Sequence, residues 1–200
     1  MTAVSVRSLD RRFGSTRVLR ELDLDVQDGE HIAISGANGS GKTTLLRVLS
    51  GLLRPTSGDV KVLGGAADDP DIRARIGVVG HTPAIYARMT ASENIRFWTG
   101  IYGVPPGRGH EVLQTLGLDP ADKRPAASYS QGMRQRVSIA IALSTSPTLV
   151  IADEPFAGLD DAGSTAVAAL LRDVPTLVVA THGGADGRHL HLRDGRLTAA

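Results

Sequence analysis

The chain has 200 residues, 42% of them hydrophobic, which suits one large domain or two intimate subdomains that bury a core without covalent staples. Its 22 basic and 21 acidic side chains leave a formal charge of +1, so no broad positive field is available to hold a nucleic-acid backbone. The absence of cysteine excludes disulfides and thiolate metal sites, and no run approaches the roughly 20 apolar residues that cross a bilayer. The opening MTAVSVRSLDRRFGS lacks the apolar core of a secretion signal, and the expectation is a cytoplasmic protein whose membrane role comes through a partner.

Val4–Arg11, Leu22–Val26 and His31–Ser35 read as short strands, antiparallel in flavour, with QDGE as the turn between the last two. Lys42–Gly51 reads as a helix, apolar at Leu45, Leu46, Val48 and Leu49, with Gly51 and Pro55 marking its end. TSGDVKVLGG suggests a turn and a further strand, and Ile76–Gly80 is a continuous apolar run of the kind buried on both faces. From Thr90 to Pro125 the pattern becomes helical and loop-like, with Thr90 as a cap and Glu93 closing a capping box. Gln131–Ser144 predicts a long helix capped by Ser130 and ended by Pro147. Thr148–Ala152 and Thr176–Ala180 are β-branched apolar strands on either side of a helix over Ala162–Arg172, a right-handed parallel βαβ unit. The tail, HLHLRDGRLTAA, alternates about Asp194-Gly195 and predicts a closing hairpin.

Between a predicted strand and a predicted helix lies GANGSGKTT, which fits the pattern GxxxxGK[ST] in the context that motif demands. Backbone N–H groups from Gly36, Ala37, Asn38, Gly39, Ser40 and Gly41 would wrap phosphate oxygens, and the helix that follows offers its positive end. Lys42 should reach the β and γ phosphates, the Thr43 hydroxyl should ligate magnesium, and Thr44 should bond a phosphate. The acidic partners are expected at the carboxyl end of a neighbouring strand, because ligands of open α/β sheets collect there. TLVIADE supplies them: Asp153 to hold magnesium and Glu154 to orient or deprotonate the attacking water. The alternative is an ordinary solvated loop, against which stands the mutual repulsion of two adjacent carboxylates without a cation. His182 ends the strand beside that of Asp153, where a neutral imidazole could sense the γ-phosphate.

YSQGMRQR, Tyr129 to Arg136, precedes the long helix, with Ser130 standing 23 residues ahead of Asp153. This segment resembles the signature of the ATP-binding cassette family, and the resemblance covers essentially the whole chain. It implies an α/β P-loop NTPase with a mixed core sheet, an antiparallel β subdomain and an inserted helical subdomain. The divisions expected are 1–82 with 148–200 for the core, and 83–147 for the helical part carrying the signature. It also implies two cassettes bound head to tail around two Mg-ATP, so that Ser130, Gln131 and Gly132 meet the γ-phosphate held by the partner's Lys42. Asp160, in FAGLDD, matches the loop that crosses the dimer interface and helps align the opposing site. Phe13 matches the aromatic that stacks on adenine, although a lone aromatic near a strand end can equally be core.

His81 departs from the family's usual glutamine. It can donate through one ring nitrogen and accept through the other, but suits the hard magnesium ion less well than an oxygen does. Packing at the hinge is the other reading of His81. The run GHTPAIYARMTASENIRF is similar to bacterial haem-exporter ATPase subunits of cytochrome c maturation, whereas Met133 in the signature resembles type-2 exporters of drugs, lipids or polysaccharides. In either case the resemblance implies a membrane-spanning permease received by a groove in Pro83–Tyr129, with Tyr86, Phe97, Trp98 and Tyr102 as groove or subdomain core. The rivals are a soluble cassette acting on DNA or ribosomes and a poorly hydrolysing regulatory subunit. No long coiled-coil insertion or second cassette supports the first, and the intact Glu154, His182 and signature oppose the second.

Overall fold

Two twelve-residue strands, β1 (Thr2–Phe13) and β2 (Thr16–Gln27), fold back on each other at Gly14-Ser15, and β4 (Ser57–Val62) pairs with the other side of β1. All three are antiparallel. The structure, a computed structural model, describes residues 1–181 and 186–199. Alternation buries Val4 and Val6, and an irregularity at Ser8, whose φ is 48°, returns Leu9 to the buried face after an extra residue.

A second sheet has six strands in the order β5-β6-β7-β3-β8-β9, built from β5 (Ile76–Val79), β6 (Leu149–Asp153), β7 (Thr176–Ala180), β3 (His31–Ser35), β8 (Arg188–Arg193) and β9 (Arg196–Ala199). Its pairings are parallel except for the closing β8–β9 hairpin, which turns at Asp194-Gly195 as its alternation predicts.

Two expectations are corrected here. QDGE does not join an antiparallel pair: it crosses from β2 in the first sheet to β3 in the second. The reason is in the side chains, since β2 alternates while Ile32, Ala33 and Ile34 of β3 are all buried, as a strand covered on both faces requires. Nor does the acidic pair end a strand adjacent to β3, because β7 lies between β3 and β6.

The wholly buried strands β6 and β7 serve two cores. Leu149 and Ile151 of β6, with Val178 and Ala180 of β7, join Leu45, Leu46 and Leu49 of α1 (Lys42–Leu49) and the inner face of the antiparallel sheet. Val150, Ala152, Leu177 and Val179 point the other way, into a cluster with α3 (Ala91–Ile101), α4 (Gly107–Thr115) and α5 (Gln131–Leu143). A short α2 (Pro70–Arg73) and α6 (Asp161–Arg172) complete the α-helices among the described residues. Thr90 and Glu93 close a capping box on α3 as expected. Close approach of α5 to β5 depends on Gly77, where a Cβ would lie 2.5 Å from the Ala142 carbonyl.

Ile95 of α3 is fully buried and sits against Gly109 of α4, whose added Cβ would lie 2.6 Å from the Ile95 Cγ2. Ile95→Ala should therefore lower unfolding free energy by about 2–5 kcal/mol, read as a lower denaturation midpoint in urea.

Candidate nucleotide site

The turn between β3 and α1 is held by backbone torsions that favour glycine: φ is 152° at Gly36, 79° at Gly39 and 109° at Gly41. A Cβ at Gly36 would collide with the Leu192 carbonyl, so the turn lies tight against β8. Gly41 caps α1 without a side-chain bond, and the first helical turn carries no acidic residue. Its unpaired N–H groups and positive helix end form an environment suited to an anion. Lys42 is only 8% exposed, yet its ammonium donates to the Gly36 carbonyl at 2.7 Å and the Ala37 carbonyl at 3.2 Å. Ser40 Oγ is buried with no partner among the described residues. A desolvated cation, an unpaired hydroxyl and a glycine cradle fit phosphate chemically.

Thr43 Oγ1 donates to Asp153 Oδ2 at 2.7 Å, joining the start of α1 to the end of β6. Asp153 is 5% exposed. This hydroxyl and carboxylate are hard oxygen donors, and no cluster of three or more His, Cys, Asp or Glu forms a metal site among the described residues. The donor set fits magnesium held by one carboxylate, one hydroxyl and phosphate oxygens, the arrangement that this small, water-retaining cation favours. Next along the chain, Glu154 has φ 50° and donates its N–H to the Ala180 carbonyl at 2.9 Å, so the end of β7 fixes its backbone.

His81 follows β5, is exposed, and lines a cavity of about 270 Å³ that also includes Thr43, Asp153, Trp98 and Tyr102. That cavity runs between the end of the parallel sheet and α3. His182 lies outside the described residues. Phe13, at the tip of β1, is 47% exposed, and the Arg11 guanidinium stands 4.4 Å from its ring centroid. Its position removes it from the core and leaves ring surface open to a stacking partner.

Ser130 and Gln131 are exposed at the start of α5, and Ser130 Oγ accepts from the Met133 N–H at 3.1 Å. The serine is thus a helix cap in its own chain. Gly132 lies against the loop after Glu154: a Cβ there would be 2.5 Å from the Gly158 carbonyl. Asp160 caps α6 through the Gly163 N–H at 2.9 Å and accepts from Arg136 at 2.6 Å. The Gly163 N–H, followed by the Arg136 charge, holds its carboxyl below the ordinary carboxylate range. Sequence spacing does not single out Arg136 or the buried Gln135, which donates to the Pro155 carbonyl at 3.2 Å. The available signal is only that both fall within the YSQGMRQR segment.

A phosphate turn opening α1, with a hydroxyl–carboxylate pair closing the cleft to β6, defines the class of P-loop nucleoside triphosphatases. The chain belongs to the ABC transporter family, whose profile matches residues 19–157. It is 37% identical to the lipoprotein-releasing system ATP-binding protein LolD 1 of Caulobacter vibrioides, over 98% of this chain and 94% of that one. The cytochrome c biogenesis ATP-binding export protein CcmA of Bradyrhizobium diazoefficiens is also 37% identical, over 90% of this chain and 92% of its own length. An uncharacterized ABC transporter ATP-binding protein, YdbJ of Bacillus subtilis, is 38% identical over 79% of this chain, which spans 52% of that longer protein. A dimeric ATP-binding cassette solved in a post-hydrolysis state with ADP and Pi superposes with a TM-score of 0.85, at 28% identity and 98% coverage of both chains.

The chain is accordingly an ATP-hydrolysing cassette, the ATPase subunit of a transporter. Cassettes of this family dimerise and work with a membrane permease subunit. No helix among the described residues is long and apolar enough to cross a membrane itself.

Proposed function

We propose that this ATPase subunit drives export of haem for cytochrome c maturation, bound at the cytoplasmic face of the membrane through a permease. The observation that carries the cargo assignment is the run from Gly80 to Phe97, GHTPAIYARMTASENIRF, which resembles haem-exporter ATPases. The likeness to CcmA across nearly the full length of both chains supports it. Met133 in the signature and the equal identity to LolD favour one other reading, a type-2 exporter of lipid, drug or polysaccharide.

In this mechanism two copies meet head to tail and enclose two ATP molecules. Glycine-turn N–H groups and the α1 terminus bind the phosphates, Lys42 turns its charge to the β and γ oxygens, and Phe13 stacks on adenine. Thr43 and Asp153 would hold magnesium, which supplies neutralising charge on the phosphates when bound. Glu154 takes the proton of the attacking water, and His182 contacts the γ-phosphate. Ser130, Gln131 and Gly132 of the opposing subunit close over the same phosphate, while Asp160 acts indirectly by fixing the loop at the interface. His81 stands where site and permease groove meet, and there couples the two.

The segment 83–147 is assigned as the helical subdomain that receives the permease. Its exposed Tyr86 and Phe97 pack edge to face at a centroid distance of 4.7 Å, beside the exposed Ile101, a cluster whose apolar surface supports the assignment. Mild-detergent purification of the chain from its native membranes, with mass spectrometry of its partners, tests the reading. Recovery of a multispan haem-exporter subunit with cytochrome c assembly proteins is expected. A type-2 exporter permease would overturn the cargo, and recovery without any membrane partner would overturn the transport role.

A further inference from the structure

We propose that Gln135 is a positioning residue for hydrolysis: its bond to the Pro155 carbonyl ties the signature helix to the loop carrying Glu154. The two ends of this tie would serve different nucleotides, since the signature meets one held by the second copy and Glu154 acts on one held by its own chain. The proposal rests on the head-to-tail reading above.

The need for such a tie lies in the backbone. Glu154 has φ 50°, in the left-handed region, and precedes Pro155, whose ring steers the preceding residue towards extended conformations. A non-glycine residue keeps this geometry only where its surroundings over-determine it. The Glu154 N–H is held by the Ala180 carbonyl at 2.9 Å, and its own carbonyl accepts from Ala157 at 3.1 Å. Those contacts come from the core sheet and the loop itself. The Gln135 Nε2 bond to Pro155 O, at 3.2 Å, arrives from α5, one turn beyond Ser130.

Gln135 is 3% exposed, so water cannot readily replace its bond. Neighbouring contacts make the junction stiff. Gly132 permits the backbone approach to Gly158, and Arg136 bridges the Leu116 carbonyl at 3.2 Å and Asp160 at 2.6 Å. A reorientation of the exposed end of α5 on meeting a phosphate would therefore pull on Pro155 and move Glu154. ATP occupancy of one composite site would in this way set the geometry of the carboxylate at the other.

Gln135→Met keeps the side-chain length and removes the donor. In the 200-residue chain it is expected to lower kcat roughly tenfold and bring the Hill coefficient for ATP towards about 1, with single-chain ATP affinity changed less than about twofold. Pro155→Ala relaxes the constraint on Glu154 while keeping the carbonyl, so the kcat loss from Gln135→Met should shrink several-fold in that background. Unchanged kcat and Hill coefficient would overturn the proposal. So would equal kcat losses in both backgrounds, or affinity falling in step with melting temperature, because those are marks of a merely structural bond. ATP-dependent dimerisation of Glu154→Gln, followed by light scattering, separates the two levels. Failure of that dimer overturns the head-to-tail reading, whereas a normal dimer with unaltered Gln135→Met kinetics overturns the positioning role alone.

Discussion

Glu154→Gln is expected to lower ATP hydrolysis at least 100-fold, equivalent to about 2.7 kcal/mol of transition-state stabilisation, while leaving ATP binding intact. The substitution keeps the size of the side chain and leaves untouched the backbone bond to Ala180 that orients the residue. On the proposed role, what is lost is the capacity to take a proton from water. Since product formation is expected to open the dimer, the variant should accumulate as an ATP-bound dimer on size exclusion. A variant that stays monomeric with ATP and hydrolyses normally would remove Glu154 from water activation. Glu154 lies directly after the Asp153–Thr43 pair, at the mouth of the parallel sheet.

The second large effect is expected at Ser130. Ser130→Arg should abolish steady-state hydrolysis with ATP affinity of the single chain nearly unchanged if, as proposed, the residue serves a nucleotide bound by another copy. Equal losses of binding and hydrolysis would instead assign the signature to its own chain's site. The cap bond to Met133 complicates that experiment, since losing an N-cap costs about 1 kcal/mol of stability by itself. Ser130→Asp removes the ambiguity. Aspartate caps as well as serine and so should preserve the melting temperature, but in the proposed dimer its charge would face a phosphate and should abolish hydrolysis just as completely. A preserved melting temperature with full activity in Ser130→Asp would make the serine a cap and nothing more.

Both experiments concern residues whose chemistry is legible in the linear text, and the contrast with the residues that surround them is instructive. GANGSGKTT is readable because a phosphate cradle is local: its glycines, its lysine and the helix that follows are all consecutive. The Ser130 and Thr90 caps are readable for the same reason, as a cap satisfies N–H groups within one helical turn. The closing hairpin likewise needs only alternation and Asp194-Gly195.

Pairings between distant segments are less accessible. QDGE looks like a hairpin turn from its own residues, and only the two-sided burial of β3 reveals that the chain has changed sheets. Glutamine at 135 is unremarkable in a helix until its amide is found at the Pro155 carbonyl.

The sequence by itself carried the glycine turn, the candidate acidic pair, the signature-like segment and the period of nearly every long element, because each depends on contacts within a few residues. The tertiary structure alone decided that β7 separates β3 from β6, that Thr43 and Asp153 meet, and that the signature helix is bonded to the loop after Glu154. These depend on which apolar faces share a core and on where buried polar groups find partners, and such choices are settled by the packing of the whole chain.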